Sequence, residues 1–223
     1  MANYQTDYAK GLKIAINASQ SEAIPQRFEF VQTGIALALN DVLEMGPLLA
    51  DHSVVDVILD ADDMDTGGPT LTLSVGILNA AKSALDLPAS GGAAWILAST
   101  VAGAPGGVAR MVLTHALRMQ PQAYQRNIGI VVAAAATTPV VSLTNLNVNR
   151  GFWQPVTTYT ANDFITLPNG VRQKCTTGGV SGLVRPQFHT LYNNTTADGT
   201  AVWTTADPVI GLTVITRSPH FGS

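Results

Sequence analysis

The sequence predicts an all-β protein: a jelly-roll-like sandwich or barrel with a short helix or two, followed by a small C-terminal β domain. Three observations lead to this prediction. Several short segments alternate apolar and polar residues with the period of two that places each set on one face of a strand. Turns rich in Gly, Pro and Asn separate these segments. Few segments have the apolar spacing of a helix.

The clearest alternation lies between Val54 and Leu78, which we predict to be a hairpin of two strands. The first strand alternates Val55, Val57 and Leu59 with Asp56, Ile58 and Asp60; the second alternates Leu71, Leu73, Val75 and Ile77 with Thr72, Ser74 and Gly76. Residues 62–69 connect the two strands and contain Gly and Pro, so they cannot continue a central strand.

The acidic connection raises the question of a cation site. Asp60, Asp62 and Asp65 are spaced loosely like ligands of a calcium loop. Met64 at the fifth loop position and Leu71 at the twelfth do not fit an EF-hand. We therefore predict no metal here, but a solvated turn whose Asp side chains hydrogen-bond their own backbone.

Other elements can be placed along the chain. Residues 1–27 are predicted to be an N-terminal arm, either disordered or docked on a neighbour, and residues 28–150 the main β domain. The predicted elements in order are strand-like Phe28–Leu39; one or two helical turns in Asn79–Leu87; Ala94–Val101 and Val108–Met119, each either strand or helix; and strands Arg126–Val132 and Val141–Val148.

Residues 151–223 are predicted to form a small C-terminal β module, because the composition shifts near Arg150 towards Thr, Gly, Asn and aromatic residues. This segment is short for an independent core without disulfides or metal, so it is expected to lean on the first domain or a neighbouring subunit. Three of its aromatics are candidate binding residues: Trp153, Tyr159 and Trp203. They could form a stacking platform for sugar rings, anchor an interface, or build the core of the module.

Composition and charge limit the classes of partner. The chain is 46% hydrophobic and only 12% charged, against about 25% in typical soluble domains, which suits closely packed copies in an assembly. A net charge of −3 predicts no general attraction to nucleic acid or to a membrane. No Lys or Arg occurs between Arg27 and Lys82, whereas nine carboxylates do, so one face should be acidic. The run Ile128–Ala136 is too short to span a bilayer.

No catalytic or cofactor-binding constellation is found. The four histidines lack metal-ligand spacing, and the single Cys175 has neither a disulfide partner nor a nucleophile motif. The start of the chain lacks the pattern of a signal peptide. A Gly-rich loop is not followed by the Lys-Ser/Thr of a phosphate loop, and we predict it to be a flexible inter-subunit contact. Its candidate contact residues are Gly103, Pro105, Gly106 and Gly107.

The first 150 residues resemble the decoration (cement) proteins of tailed-bacteriophage heads and related minor virion proteins. The residues that carry this resemblance are Val55–Leu59, the turn Asp62–Gly67, the strand Leu71–Leu78, and Arg126–Val132 followed by an Ala/Thr tract. The resemblance implies a structural virion protein on the capsid exterior, made in the host cytoplasm, that stabilises the shell by binding the major capsid protein across capsomer seams. It also implies a homo-oligomer, with a trimer as one option, and no enzymatic activity.

The last third is similar to small β modules of phage structural proteins and of some carbohydrate-binding proteins. Trp153, Tyr159 and the segment Asp198–Trp203 carry this similarity. The sugar-binding pattern has Gly-Asp where this chain has Asn162-Asp163, which is a departure from it. The similarity implies an alternative function as a glycan-binding adhesin on the virion surface or as a tail component.

Overall fold

The structure, a computed structural model, describes residues 1–14, 23–32, 34, 36–68, 70–103, 105–112, 121–140, 146 and 148–217. These residues form strands and turns but no helix, which confirms the all-β prediction. The strands are β1 (Asn3–Gln5), β2 (Ala23–Val31), β3 (Val42–Leu48), β4 (Ser53–Asp62), β5 (Thr72–Ile77), β6 (Ile96–Ser99), β7 (Gly106–Arg110), β8 (Arg126–Ala134), β9 (Thr158–Tyr159), β10 (Phe164–Thr166), β11 (Arg172–Thr177), β12 (Gly179–Val180), β13 (Thr195–Asp198), β14 (Ala201–Thr205) and β15 (Val209–Arg217).

The chain divides into two compact units, and each unit is built from more than one stretch of the sequence. The first unit contains Met1–Phe30, Leu37–Pro139 and Ile210–Ser223, and the second contains Val31–Ala36 and Val140–Val209. The predicted boundary near residue 150 therefore differs by about ten residues from the start of the main part of the second unit. The prediction also did not anticipate that the C-terminal strand β15 belongs to the first unit.

The first unit is a β-sandwich of two sheets. The first sheet has the strand order β1-β3-β8-β5-β6, and the second sheet has the order β2-β15-β4-β7. Strands β2 to β5 alternate between the sheets along the chain, as they do in jelly-roll-like sandwiches. Apolar side chains from both sheets form one buried cluster, which includes Leu43, Met45, Leu73, Val75, Ile77, Ile128, Ile130 and Val132 from the first sheet and Phe28, Val57, Leu59, Ile210, Leu212 and Val214 from the second.

The predicted hairpin between Val54 and Leu78 is wrong, although both of its strands exist. β4 pairs with β15 and β7 in the second sheet, whereas β5 pairs with β8 and β6 in the first. The acidic connection carries the chain from one sheet to the other. Alternation determines which side chains share a face, but it does not determine the partner strand, and here the partners lie far away in sequence.

A β-bulge in β4 changes which residues face the core. Ile215 pairs with Asp56 and Thr216 pairs with Val54, which leaves Val55 as the extra residue. Val55 is therefore 40% exposed, while Val54 and Val57 are both buried. The sequence prediction placed Val55 on the same face as Val57, and the bulge is the reason that it lies outside the core.

Asp65 organises the acidic connection from inside the protein. Its carboxylate accepts hydrogen bonds from the Thr70 hydroxyl and from the backbone N–H groups of Gly67, Thr70, Leu71 and Thr138. The side chain is fully buried, so the prediction of a solvated turn is wrong at this position. The predicted bonding of Asp side chains to the nearby backbone is present.

The hydrogen bonds to Asp65 predict an acid-sensitive fold. Its pKa is lowered to about 2, most strongly by the Thr70 hydroxyl; burial opposes this, and backbone N–H groups lower the pKa further. An unfolded Asp titrates near ~3.9, so this stabilisation is present above that value and is lost as the pH falls towards 2. We expect the thermal midpoint to fall between pH 4 and pH 2 more steeply in the wild type than in Asp65→Asn, measured by calorimetry. Equal slopes would contradict this role of Asp65.

The first residues of the chain belong to the sandwich, whereas the sequence predicted an arm that is disordered or docked on a neighbour. Strand β1 pairs in parallel with β3 at the edge of the first sheet. Ala2 donates its backbone N–H to Asp41 at 2.6 Å, and Tyr8 packs edge-on against Phe28 with ring centroids 5.0 Å apart. Residues 15–22 lie outside the described part of the arm.

Several of the shorter predicted elements can also be compared. Asn79–Leu87 is a turn and not a helix, with a backbone bond from the N–H of Asn79 to the carbonyl of Ala84. Ala94–Val101 contains strand β6, and the beginning of Val108–Met119 lies in strand β7; residues 113–120 are outside the described residues. Arg126–Val132 is confirmed as a strand. Most of Val141–Val148 lies outside the described residues.

The second unit contains a four-stranded sheet of order β10-β11-β14-β13 and a two-stranded sheet of β12 and β9. Its buried cluster is small and aromatic: Tyr159, Ile165, Leu167, Cys175, Phe188, Ala201 and Trp203. An ion pair lies at the start of β11, where Asp207 accepts hydrogen bonds from the Arg172 guanidinium at 2.5 and 2.8 Å.

Candidate interaction surfaces

The three candidate aromatics lie in and against the core of the second unit. Trp203 is fully buried, Tyr159 is 1% exposed, and their rings meet edge to face with centroids 4.7 Å apart. Trp153 packs on this cluster and is partly exposed. Two of the three rings therefore present no face to an external sugar, because their faces are covered by the core. Of the three roles considered from the sequence, the geometry matches that of core residues.

Asp198 joins this core to a neighbouring loop. Its Oδ2 accepts hydrogen bonds from the indole N–H of Trp153 at 2.8 Å and of Trp203 at 3.0 Å. Its Oδ1 accepts the backbone N–H of Gly182 at 2.8 Å. The carboxylate is 3% exposed, so these charge-assisted bonds lie away from water. They fix the loop that begins at Gly182 relative to the rigid aromatic core.

This loop and the segment hydrogen-bonded to it carry an exposed apolar group that we call the apolar tip: Leu183 and Val184 on the loop, and Val156 on the segment before β9. The exposed fractions are 82% for Leu183, 81% for Val184 and 60% for Val156. The backbone N–H of Val156 donates to the carbonyl of Gly182 at 3.1 Å, which places Val156 beside Leu183. Exposed apolar side chains held on a rigid loop are typical of a surface that binds another protein.

Val156 has a strained backbone. Its φ is +49°, in the left-handed region that a β-branched residue rarely adopts. Such outliers occur where the surrounding structure holds them, and they concentrate at functional sites. Pro155 is typical of the first central position of a turn, but the next position takes a positive φ most often with Gly or Asn, so a valine there did not indicate this conformation.

Replacing Val156 with glycine should therefore stabilise the second unit. We expect Val156→Gly to raise the free energy of unfolding by about 0.5 kcal/mol, since the relief of the left-handed strain, ~1–2 kcal/mol, exceeds the entropic cost of glycine, ~0.5–1 kcal/mol. Calorimetry of the purified protein measures the change. Val180→Gly is the matched control: this exposed strand valine is not among the positive-φ residues, so glycine should destabilise it. If Val156→Gly is no more stable than the wild type, the inference that the Val156 backbone is strained is wrong.

A second candidate surface is the outer face of the second sheet, which carries the side chains of β2, β15, β4 and β7 that point away from the core. Arg27 on β2 reaches across β15 above Gly211 and pairs with both carboxylate oxygens of Asp60 on β4, at 2.5 and 2.7 Å. A Cβ on Gly211 would lie 2.3 Å from the Arg27 guanidinium, so the guanidinium occupies space that the missing side chain leaves open. Nearby, Arg110 on β7 pairs with Asp56.

The centre of this outer face is apolar. Val108 on β7 lies opposite Asp60 in the register and is 70% exposed. Ile58 and Ile215 are partly exposed and point to the same side, by their alternation with the buried residues Val57 and Val214. The face therefore combines three apolar side chains with charged groups around them, and β7 lies at the edge of its sheet.

The acidic segment between Arg27 and Lys82 does not form a single acidic face, because several of its carboxylates are buried. Those buried are Asp41, Glu44, Asp56 and Asp65. Glu44, for example, pairs with Lys82 at 2.6 Å and accepts a hydrogen bond from Gln5 at 2.7 Å. Asp60 and Asp62 remain partly exposed on the outer face of the second sheet.

The predicted contact loop is partly strand. Gly106 and Gly107 begin β7 and pair with Asp62 and Ala61, whereas Gly103 is buried. Pro105 and Gly107 are exposed. Gly106 has φ +83°, and a Cβ on it would lie 2.6 Å from the carbonyl oxygen of Ala61, so this position requires glycine.

The Cys175 thiol is buried in the core of the second unit. Burial is the main cause that raises the pKa of the Cys175 thiol to about 11, and the thiol donates to the carbonyl of Thr177. In the part of the chain that the structure describes, no three His, Cys, Asp or Glu side chains are grouped to hold a metal ion. The same residues include no helix that is long and apolar enough to cross a membrane.

Comparisons with known proteins give one informative likeness. No protein family and no curated protein matches the chain in sequence. A chain in a solved structure, "Capsid of Ralstonia phage GP4", is 24% identical to this protein with a TM-score of 0.58. The match covers 98% of this chain and 99% of that chain. The two chains share a fold. A chain in "Cyanophage Pam1 capsid asymmetric unit" is 17% identical with a TM-score of 0.46, over 93% of this chain and 94% of that one.

Proposed function

We propose that this chain is a structural protein of a bacteriophage virion that decorates the capsid exterior and stabilises it by binding across capsomer seams. The observation that carries the proposal is the fold shared with the chain from the Ralstonia phage capsid over nearly its whole length. The low charge of the sequence and the exposed apolar surfaces on rigid β units support the same role. The major capsid protein and further copies of this chain are the proposed partners, and the virion is the proposed location.

The physical mechanism is the burial of surface between subunits. A protein that binds the assembled shell, but not its separated subunits, stabilises the shell by mass action. Interfaces that do this specifically bury at least ~1,000 Å². The pre-formed sheets and the loop fixed by Asp198 keep the entropic cost of binding low, because little chain must be ordered on contact.

The proposal is tested on capsids from a phage that lacks the gene. Purified protein is added to these capsids, which are then sedimented and heated. We expect the protein to co-sediment at a saturable stoichiometry and to raise the temperature at which the capsids release DNA. Absence of co-sedimentation, or binding that leaves the release temperature unchanged, would count against a stabilising role.

A substitution in the exposed part of the contact loop tests whether this loop contacts the capsid. We expect Gly107→Asp to weaken capsid binding by at least about tenfold, because an unpaired carboxylate would be removed from water in the interface. A Cβ at position 107 meets only Val101 at 3.6 Å, so the variant should fold. Asn40→Asp, at an exposed turn of the same unit, adds the same charge as a control. Equal capsid binding by the two variants would show that this loop is not part of the interface.

A further inference from the structure

We propose that the second unit binds a short acidic segment of another protein, with one carboxylate of the segment paired to Arg185 and its apolar side chains covering Leu183 and Val184 of the apolar tip. The site is an open groove of ≈ 440 Å³ whose apolar walls are formed by Leu167, Pro168, Pro186 and Phe188. This volume lies in the usual range for ligand sites. The groove lies within the second unit alone, and the proposal does not depend on attachment to a capsid.

Both walls of the groove are fixed by hydrogen bonds. On one side, the turn between β10 and β11 is closed by a bond from the backbone N–H of Leu167 to the carbonyl of Val171 at 2.9 Å. On the other side, the carbonyl of His189 accepts bonds from the side chains of Gln173 at 2.9 Å and Thr205 at 2.8 Å. Little chain must therefore be ordered when a ligand enters, which keeps the entropic cost of binding low.

Arg185 supplies the charge of the groove. It is exposed, and its guanidinium carbon lies 5.8 Å from the centre of the Phe188 ring. Phe188 in turn packs edge-on against the buried Trp203, with ring centroids 6.0 Å apart. The cation–π contact holds the guanidinium at the apolar wall. Among the ion pairs between described residues, none involves Arg185.

The carboxylates of the second unit do not compete for Arg185. All three of them are buried: Asp163, Asp198 and Asp207. Two are already paired, Asp163 with Arg150 and Asp207 with Arg172. Asp198 accepts hydrogen bonds from two indole groups. The surface of this unit therefore presents basic groups without acidic ones, which favours an anionic partner.

Polar side chains at the groove can orient the bound segment. Asn169, Gln187 and Thr190 line the groove and are exposed. Asn169 Oδ1 accepts the backbone N–H of Val171 at 3.2 Å, so the amide NH2 is the group that Asn169 offers to a ligand. Amide N–H groups donate to the carbonyl oxygens of a peptide, while the Arg185 guanidinium donates to its carboxylate.

The apolar parts of the site favour a peptide over an acidic sugar. A sugar ring stacks on an exposed aromatic face, but Phe188 is only 7% exposed and the Arg185 guanidinium lies over its ring. Leu183 and Val184, directly before Arg185, are largely exposed. Aliphatic side chains beside the acidic residue of a peptide can cover them, whereas the hydroxyl groups of a sugar would lose hydrogen bonds to water there.

Two matched peptides test the proposal on the full chain: N-acetyl-Leu-Glu-Leu amide and its analogue with Gln in place of Glu. Binding is followed by NMR of the isotope-labelled protein, through the backbone signals of residues 183–190 and the side-chain N–H signal of Arg185. We expect saturable shifts of these signals, with the Glu peptide bound about fivefold more tightly, as for a partly exposed ion pair. Added salt should reduce this preference, because it screens the contact.

Arg185→Gln should abolish the preference for the Glu peptide. Lys174→Gln is the matched control, because it removes the same charge from the same unit outside the groove lining, and it should keep the preference. Leu183→Ser should weaken the binding of both peptides equally. The NMR spectrum of each variant also shows that it is folded.

The absence of saturable shifts at residues 183–190 overturns the proposal. So does a preference for the Glu peptide that survives in Arg185→Gln, or one that is lost equally in Arg185→Gln and Lys174→Gln. Glucuronate at the same concentration is the probe for an acidic sugar. If glucuronate shifts the same signals as strongly as the Glu peptide, the assignment of the groove to a peptide is wrong.

Discussion

Trp203→Ala is expected to lower the free energy of unfolding of the second unit by about 4 kcal/mol, within the range for truncating a fully buried tryptophan. Trp203 is the centre of a small cluster, with Tyr159 at 4.7 Å and Phe188 at 6.0 Å between ring centroids. Its removal leaves a cavity and frees one of the donors that hold Asp198. The unit has few other large buried side chains to compensate.

The effect of Trp203→Ala is measured by calorimetric unfolding, in which a destabilised second unit should appear as an earlier transition. Phe152→Ala is the matched control, because this aromatic belongs to the same unit but is 65% exposed. It should change stability by no more than ~0.5 kcal/mol. A loss below 1 kcal/mol for Trp203→Ala would show that the aromatic cluster does not hold the unit together.

Asp207→Ala is expected to cost about 3 kcal/mol, because it leaves the Arg172 guanidinium half-buried without its partner. Asp207 is fully buried and also accepts the backbone N–H of Arg172 at 3.0 Å. The pKa of Arg172 is raised, first by the hydrogen bonds to Asp207, while burial opposes this. The pair thus fixes the loop after β14 to the start of β11.

A double variant separates two quantities: the stability lost when Arg172 is left unpaired, and the net stability that the Arg172–Asp207 ion pair contributes. Arg172→Met with Asp207→Leu should recover part of the stability lost in Asp207→Ala, since no unpaired charge is left. Asp7→Asn is the control, because Asp7 pairs with Lys13 on the surface with both side chains 52% exposed, where such pairs contribute ~0–1 kcal/mol. If Asp7→Asn and Asp207→Ala cost the same, the interior pair has no special role.

The elements of the first unit could be read from the sequence better than their arrangement could. β4, β5 and β8 follow from alternation and apolar runs, because these patterns record which side chains are buried. The predicted hairpin failed because a two-sheet sandwich pairs strands that are distant in sequence, as β4 pairs with β15. The bulge at Val55 is another feature that only the pairing partner reveals.

The candidate surfaces were harder to predict than the core. Trp203 and Tyr159 were candidate binding residues because of their residue type. Both are buried, so these large aromatic side chains form the core of the small unit. The apolar tip escaped notice because Leu183 and Val184 have no motif, and their exposure depends on a loop fixed by Asp198. Val108 begins the segment Val108–Met119, which the sequence left open between strand and helix, and only its register opposite Asp60 places it on the outer face.

The most direct test of the proposed function is the copy number of this protein in purified virions, measured by quantitative mass spectrometry against the major capsid protein. A protein that decorates capsomer seams occurs once per repeated site, so its copy number should be of the same order as that of the shell protein. Complete absence from virions, or the few copies expected of a tail component, would contradict the proposal.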